Sequence, residues 1–408
     1  MAYHLIIHIP ESGKAKPTAL KKVCSVPVIT RLIVAASRNG ADQISVLGSD
    51  EDVEKVKSKI QNDERLEKLS IQWGQSSGHA DAVVEVNADL VVGNKVWTLI
   101  NEAKNNAFVP GASLFKKSFS SSNDDSMALW QGDAGKECFV QPINNAKDRR
   151  RAKWHIFNNI TKSTSGPVSR YLNAQVSIPL SKILVETPMT PNQMTVVNTL
   201  IGLFSAYCFA MGTLPWVALG GALFQLTAIL DRNDGELARS KFMESEKGEW
   251  IDTIGDNMMY VAYMIGLPYG YWKYAQTVDL AWEGLIIPLA VGSLVMLVFV
   301  IGGMFIYLRV NKLGGSITVI SRQFDSDLKP EEVPFIFRML SKLSVLGERD
   351  QFSLAIGIFG VLPYFTGMPV FYHMLFFITC IVVLAANIYF GIGWVKIAKR
   401  KNDIQTAG

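Results

Sequence analysis

Near residue 190 the chain stops reading as a water-soluble protein and starts reading as a membrane protein. Residues 1–190 mix charged and apolar side chains, whereas residues 193–398 carry long apolar runs. A helix that crosses a bilayer needs roughly 20 mostly apolar residues. Six segments approach that length, at 193–213, 215–239, 248–271, 284–308, 351–367 and 369–395. The connections between them alternate in charge. Those after the first, third and fifth segments are short or lightly charged. Ser240–Lys247 follows the second. The stretch after the fourth, Arg309–Asp350, holds Lys312, Arg322, Lys329, Arg338, Lys342 and Arg349. Positive loops stay inside, so this second set faces the cytoplasm, and an even number of spans puts both termini there. The basic tail Lys396–Lys401 independently agrees. The expectation is a multi-pass integral membrane protein with six transmembrane helices.

The net charge of +4 in 408 residues gives no reason to expect a nucleic-acid partner. The charge is local instead, in Lys147–Lys153 and in the tail. Cys24, Cys138, Cys208 and Cys380 form no CxxC pair or metal-ligand spacing, so reduced thiols are expected. Met1–His8 has no basic stretch followed by a long apolar one, so no cleavable signal peptide is expected and the first span directs insertion.

The N-terminal part, about residues 1–150, alternates strand-like and helix-like runs. Leu5–Ile9, Gln43–Leu47, Leu69–Trp73 and Ala82–Val86 read as strands. Val26–Ser37, Asp50–Gln61 and Val96–Ala103 read as helices. This pattern predicts a cytosolic α/β domain with a largely parallel sheet, and the Ser/Asn/Asp-rich Ser118–Asp125 reads as a loop. Residues 151–190 form a linker. Within it Val168, Tyr171, Leu172, Val176, Leu180, Ile183 and Leu184 recur at helical spacing, which predicts an amphipathic helix at the membrane surface, broken at Pro179. Thr190 reads as the N-cap of the first span and Pro191 as its first helical residue. The membrane domain occupies residues 191–400.

Carboxylates inside membrane segments are costly unless they bind something. Here Asp231, Asp234, Gly235 and Ala238 share about one quadrant of a helix at 100° per residue. Gly248, Asp252, Gly255 and Asp256 share one face of the next span. Two adjacent antiparallel helices can therefore aim four carboxylates at one another. Divalent cations would relieve the repulsion, and an all-oxygen set suits a hard ion such as Mg²⁺. The small residues leave room for a ligand and for close packing. Carboxylates paired with Arg232, Arg239 and Lys241 for helix association are the plain alternative. An ion- or proton-coupled transporter is a second.

The string Asp-x2-Asp-Gly-x2-Ala-Arg-x8-Gly-x3-Asp-x3-Asp resembles the signature of the CDP-alcohol phosphotransferase family, with every fixed position filled by Asp231, Asp234, Gly235, Ala238, Arg239, Gly248, Asp252 and Asp256. Tyr171-Leu-Asn, Thr190-Pro-Asn-Gln-Met-Thr195 and Arg349-Asp350 are similar to the family as well, and the resemblance covers about residues 160–398. It implies that a CDP-alcohol donates its phosphoalcohol group to the hydroxyl of a second alcohol, releasing CMP. It implies two Mg²⁺ or Mn²⁺ ions, held by Asp231, Asp234, Asp252 and Asp256, with Asp256 also the general base. Gly235, Ala238, Arg239 and Gly248, with Pro191 and Asn192, belong by the same resemblance to the nucleotide pocket. A homodimer among membrane lipids is implied too. Basic residues Lys312, Arg322, Arg338 and Arg349 suit an acceptor that carries phosphate, such as inositol phosphate; positive-inside charge explains them equally well.

Residues 1–150 resemble a sugar-nucleotidyltransferase domain. The stretch Lys16–Arg31 is similar to the segment after that family's glycine-rich loop, and Asp89 stands where the family places a metal-binding Asp. Fused cytidylyltransferase–phosphotransferases, including those making di-inositol phosphate compounds, have this domain order. The loop itself departs: Pro10-Glu-Ser-Gly-Lys-Ala-Lys-Pro17 has one glycine, too little backbone freedom to wrap a triphosphate. The expectation is a degenerate Rossmann-like domain, with an active cytidylyltransferase as the alternative.

Overall fold

The computed structural model describes residues 3–11, 17–75, 81–110, 112, 114–119, 127–129, 137–160, 166–311, 315, 349–385 and 387–388. The chain divides into two compact units. The first is Met1–Ser163 with Ile178–Met189 and Glu236–Met243; the second is Thr164–Ser177, Thr190–Gly235 and Glu244–Gly408.

In chain order the first unit contains β1 (Tyr3–His8), β2 (Lys22–Val23), β3 (Val26–Pro27), α1 (Val28–Arg38), β4 (Ala41–Leu47), α2 (Asp50–Ile60), β5 (Ile71–Trp73), β6 (Ala82–Asn87), β7 (Leu90–Val92), α3 (Asn94–Glu102), β8 (Ala107–Phe108), β9 (Phe115–Phe119), β10 (Met127–Ala128), β11 (Val140–Pro142) and α4 (Ala146–Asn158). Strand β1 lies inside the main sheet, whose order is β10–β8–β9–β6–β1–β4–β5. Its Tyr3, His4, Leu5 and Ile7 are essentially inaccessible to solvent, as a parallel strand covered on both faces requires. Leu5 pairs in parallel with Ile44 of β4 and Val84 of β6. The sheet is more mixed than the sequence suggests, because β9 runs antiparallel to β6 and to β8. It also takes in Ser118 and Phe119, the start of the expected loop; residues 120–126 lie outside the described residues. Helix α1 starts at Val28 because Val26 and Pro27 pair with Lys22 and Val23 in a hairpin. Ile29, Leu32 and Ile33 of α1, Val53 and Val56 of α2 and Trp97 and Ile100 of α3 complete the core.

Helix α5 (Ala174–Leu184) continues directly from a π-helical turn at Ser169–Asn173. The expected break at Pro179 does not occur. Proline deletes the one hydrogen bond its own N–H would make, and α5 keeps its course through it. Ser169, Asn173, Ser177 and Ser181 are buried, while Tyr171, Val176 and Ile183 are 69%, 51% and 67% exposed. A polar buried face and an apolar exposed one invert the pattern of a soluble helix and suit contact with lipid.

The second unit continues with α6 (Pro191–Ala210), α7 (Leu214–Lys241, whose end belongs to the first unit), α8 (Glu246–Thr277), α9 (Glu283–Val310), α10 (Arg349–Thr366) and α11 (Val370–Ala385). Each of the six expected segments overlaps one of these helices. Three, α6, α7 and α9, are long and apolar enough to cross a membrane. Helix α8 is 32 residues long but carries Glu246, Lys247, Glu249, Asp252 and Asp256 in its first turns, and the described part of α11 is short. On α9, Val295, Phe299, Ile306 and Val310 are more than half exposed, as on a lipid-facing helix. Phe209, Phe224, Tyr263, Tyr271, Phe352 and Phe376 fill the interior. Tyr263 Oη is 3.0 Å from Thr379 Oγ1, which satisfies two hydroxyls buried among apolar groups.

Candidate active site

The first described turn of α6 is built as its sequence predicts. Thr190 caps the helix in a reciprocal pair with Gln193, and Pro191 occupies the first position. Helices α7 and α8 are joined by only Phe242–Ser245. Phe242 adopts a left-handed backbone (φ 56°), and Ser245 Oγ accepts from Gly248 N at 3.1 Å. This tight connection sets the register of one carboxylate-bearing helix against the other.

That register brings Asp231, Asp252 and Asp256 together, with one carboxylate oxygen from each within 4.8 Å of the others. Two unit charges at 4 Å repel by about 4 kcal/mol at an effective dielectric of about 20. Three carboxylates so placed need a counter-charge. An all-oxygen donor set of this size fits a hard divalent cation. Asp234 stands outside this group. It is buried, and its Oδ2 accepts from the Thr195 hydroxyl of α6 at 2.7 Å. One turn further along α6, Asn198 is 2% exposed and its Oδ1 has no hydrogen-bond partner among the described residues. Through Thr195, helix α6 thus lends a polar group to the carboxylate region. Thr195 stands inside the Thr190–Thr195 run, but nothing in the run distinguishes its hydroxyl from a helix-surface one. Only the packing assigns it to Asp234.

The glycines act where the chain is closest. A Cβ on Gly255 would collide with Thr199, one on Gly202 with Met259, and one on Gly266 with the Ala206 carbonyl. The close approach is therefore between α6 and α8, whereas the sequence suggested α7 and α8. A Cβ on Gly248 would lie 3.2 Å from Asn192 Oδ1, so Asn192 and Gly248 are neighbours.

The basic residues near the motif have definite partners. Arg232 donates to the hydroxyls of Ser169 and Ser177, and Asn233 Nδ2 to the Ser177 carbonyl at 3.1 Å. Asn173 bridges Gln225 of α7 and Asp350 of α10, at 3.1 and 2.8 Å. The end of α7 is held in the first unit. Arg239 Nε donates to Ile160 O at 3.0 Å. Arg31 donates to Ser240 O, and Arg65 Nη1 to Lys241 O at 3.0 Å. Lys241 Nζ donates to Thr187 O and Met189 O at 2.8 and 2.9 Å. Cations on the last carbonyls of a helix satisfy acceptors that have no partner within it.

Of the expected acceptor residues, Lys312, Arg322 and Arg338 lie outside the described residues. Arg349 is the first residue of α10. In the first unit Asp89 sits in the turn between β6 and β7, and burial raises its carboxyl above the usual range. Lys21 donates to Asn144 O at 2.6 Å. Residues 12–16, with Lys14 and Lys16, lie outside the described residues. The four cysteines are free, as expected.

Residues 188–320 match the model of the CDP-alcohol phosphatidyltransferase family. The chain is 39% identical over 128 residues to "Bifunctional IPC transferase and DIPP synthase" of Thermococcus kodakarensis, covering 31% of this chain and 28% of that one. A protein of the same name from Archaeoglobus fulgidus is 35% identical over 118 residues, covering 29% and 23%. "Archaetidylinositol phosphate synthase" of Pyrococcus horikoshii is 31% identical over 91 residues, covering 22% and 47%. The similarity thus spans under a third of the bifunctional relatives it matches.

Proposed function

We propose that the protein is a metal-dependent CDP-alcohol phosphotransferase embedded in the membrane, and the convergence of Asp231, Asp252 and Asp256 within the matched domain carries this reading. The acceptor hydroxyl bonds to the phosphorus distal to cytidine as the bond from that phosphorus to the bridging oxygen breaks. CMP departs with the electron pair, and Asp256 takes the hydroxyl proton. A carboxylate in reach of that proton lowers the barrier of an otherwise poor nucleophile. Two bound Mg²⁺ or Mn²⁺ ions would neutralise charge on the pyrophosphate. Asp231, Asp234, Asp252 and Asp256 would hold them. Thr195 fixes the orientation of Asp234. Gly235, Gly248, Pro191 and Asn192 admit the nucleotide, while the nucleotide roles of Ala238 and Arg239 rest on the motif alone.

The acceptor is of the inositol-phosphate class. The printed name of the Pyrococcus relative supports this, as does the basic set Lys312, Arg322, Arg338 and Arg349. The membrane domain spans six times, with both termini cytoplasmic, and works as a homodimer. CMP release from a panel of CDP-alcohols, with inositol phosphate, glycerol phosphate or serine as acceptor, tests the reading in detergent with Mg²⁺. No CMP from any pair overturns it, and ion flux in proteoliposomes without CMP formation would favour a transporter instead.

The N-terminal domain is non-catalytic in this proposal, because its phosphate loop has one glycine. The word "bifunctional" in the relatives' names favours the second reading, an active cytidylyltransferase. Pyrophosphate release from CTP and inositol 1-phosphate by the full chain decides between them.

A further inference from the structure

Helix α4 is the strongest charged feature that the transferase reading leaves unused. It holds Lys147, Arg149, Arg150, Arg151 and Lys153 against one acid, Asp148. Asp148 is occupied at the helix start, where its Oδ2 accepts from Asn144 N and Asn145 N at 3.0 and 3.1 Å. Lys153 is paired with Glu186 at 2.8 Å. Among the described residues no carboxylate lies in ion-pair range of Lys147, Arg149, Arg150 or Arg151.

The helix buries its later turns. Ala152 and Phe157 are buried and Ile156 packs beside them, against Val23, Cys24 and Val28. Lys147, Arg150, Arg151 and Trp154 follow the spacing i, i+3, i+4, i+7 and form one stripe, with Ala152 and Ile156 opposite it and the buried Phe157 along its edge beside Arg150. All four are exposed, Trp154 by 48%. Like charges at this spacing weaken a helix by themselves, so an anionic surface laid against the stripe would relieve them. A half-exposed tryptophan amid cations is the side chain that settles at a lipid headgroup boundary. The chain also limits the distance. Eight residues separate Asn158 from Pro167, a chain path of at most about 30 Å.

We propose that the Lys147–Arg150–Arg151–Trp154 stripe of α4 binds the anionic phospholipid headgroups of the bilayer in which the second unit is embedded. The stripe thereby serves as an electrostatic anchor for the α/β domain. This inference rests on the membrane reading of α6–α9 and not on the transferase chemistry, so failure of one leaves the other intact.

The test uses the full chain in nanodiscs of phosphatidylcholine, with or without about 30% phosphatidylglycerol, an anionic lipid that attracts basic side chains. Arginine modification by phenylglyoxal is followed residue by residue with mass spectrometry. Arg150 and Arg151 should react about tenfold more slowly in the anionic discs. The difference should disappear at about 1 M salt, where the screening length falls to about 3 Å. Arg149 is exposed on the same helix but off the stripe, and it should change little. Equal rates for Arg150 and Arg151 in the two lipids overturn the proposal. Equal protection of Arg149 also overturns it, because an oriented stripe would not shield that side. The variant Lys147→Gln/Arg150→Gln/Arg151→Gln should release CMP at the unmodified rate in detergent and lose the lipid-dependent protection of Trp154 from oxidation. Retained protection again overturns it.

Discussion

In the proposed reaction Asp256 and Thr195 act in different ways, and substitution separates them. Asp256→Asn removes the proton acceptor but keeps an oxygen for a cation. CMP release should fall by about 10²–10⁴-fold, while Mg²⁺ binding measured by calorimetry persists. Turnover near that of the unmodified protein would remove Asp256 from the base role. Thr195→Val deletes the hydroxyl bonded to Asp234. Losing one hydrogen bond to a charged group costs about 1.5–3 kcal/mol, so kcat/KM should fall roughly tenfold or more, and Thr195→Ser should restore most of it. A loss that serine does not rescue would mean that the threonine methyl, through packing, is what matters. Asp89 gives a pH signature in the first unit. Burial raises its folded pKa, so the folded state holds a proton that the unfolded state has released. Its contribution is present below the unfolded value near 3.8 and is lost as pH rises through the folded value. In metal-free buffer Asp89→Asn should therefore raise the thermal midpoint at pH 7 by a few degrees and have little effect at acid pH. A lowered midpoint at pH 7 would show that the ionised carboxylate is needed for the fold.

At the scale of elements, the sequence marks which glycines exist, but only the packing shows which are needed. Gly266 lies against the Ala206 carbonyl, whereas nothing lies within 4 Å of where a Cβ on Gly292 would stand. Gly266→Val should abolish folded, monodisperse protein in gel filtration, and Gly292→Val should leave the elution profile unchanged. If both behave alike, the α6–α8 contact is not the determinant. Helix boundaries followed the same division. Thr190, Pro191 and Gln193 announce the start of α6 because capping is local chemistry. The course of α5 through Pro179 could not be read locally. The buried serine and asparagine face that holds this helix against Arg232 and Asn233 lies more than 50 residues away in sequence. Similarly, the buried cation of Lys117, which donates to Ile100 O and Ala103 O at 2.9 Å each, looks in sequence like an ordinary strand-surface lysine.

For the whole molecule, the proposed chemistry and topology make separate demands. Chelation by EDTA should stop CMP release, and Mg²⁺ or Mn²⁺ should restore it; activity that survives exhaustive chelation would sink the metal-dependent reading. Epitope tags at the two termini should be reached from the same, cytoplasmic face in inside-out vesicles. Tags on opposite faces would refute the six-span topology. The sequence by itself determined the α/β character of the first part and the helical segments of the second, including the spacing of the aspartates along them. These follow from composition and from the periodicities of helix and strand, which act over a few residues. Only the tertiary structure decided that Asp231, Asp252 and Asp256 converge while Asp234 turns to Thr195. It also decided that α6 and α8 make the close approach, and that Arg31, Arg65 and Lys241 hold the end of α7. Those outcomes depend on helix registers and on hydrogen bonds between residues far apart in the chain, and a pattern that repeats every few residues carries no information about them.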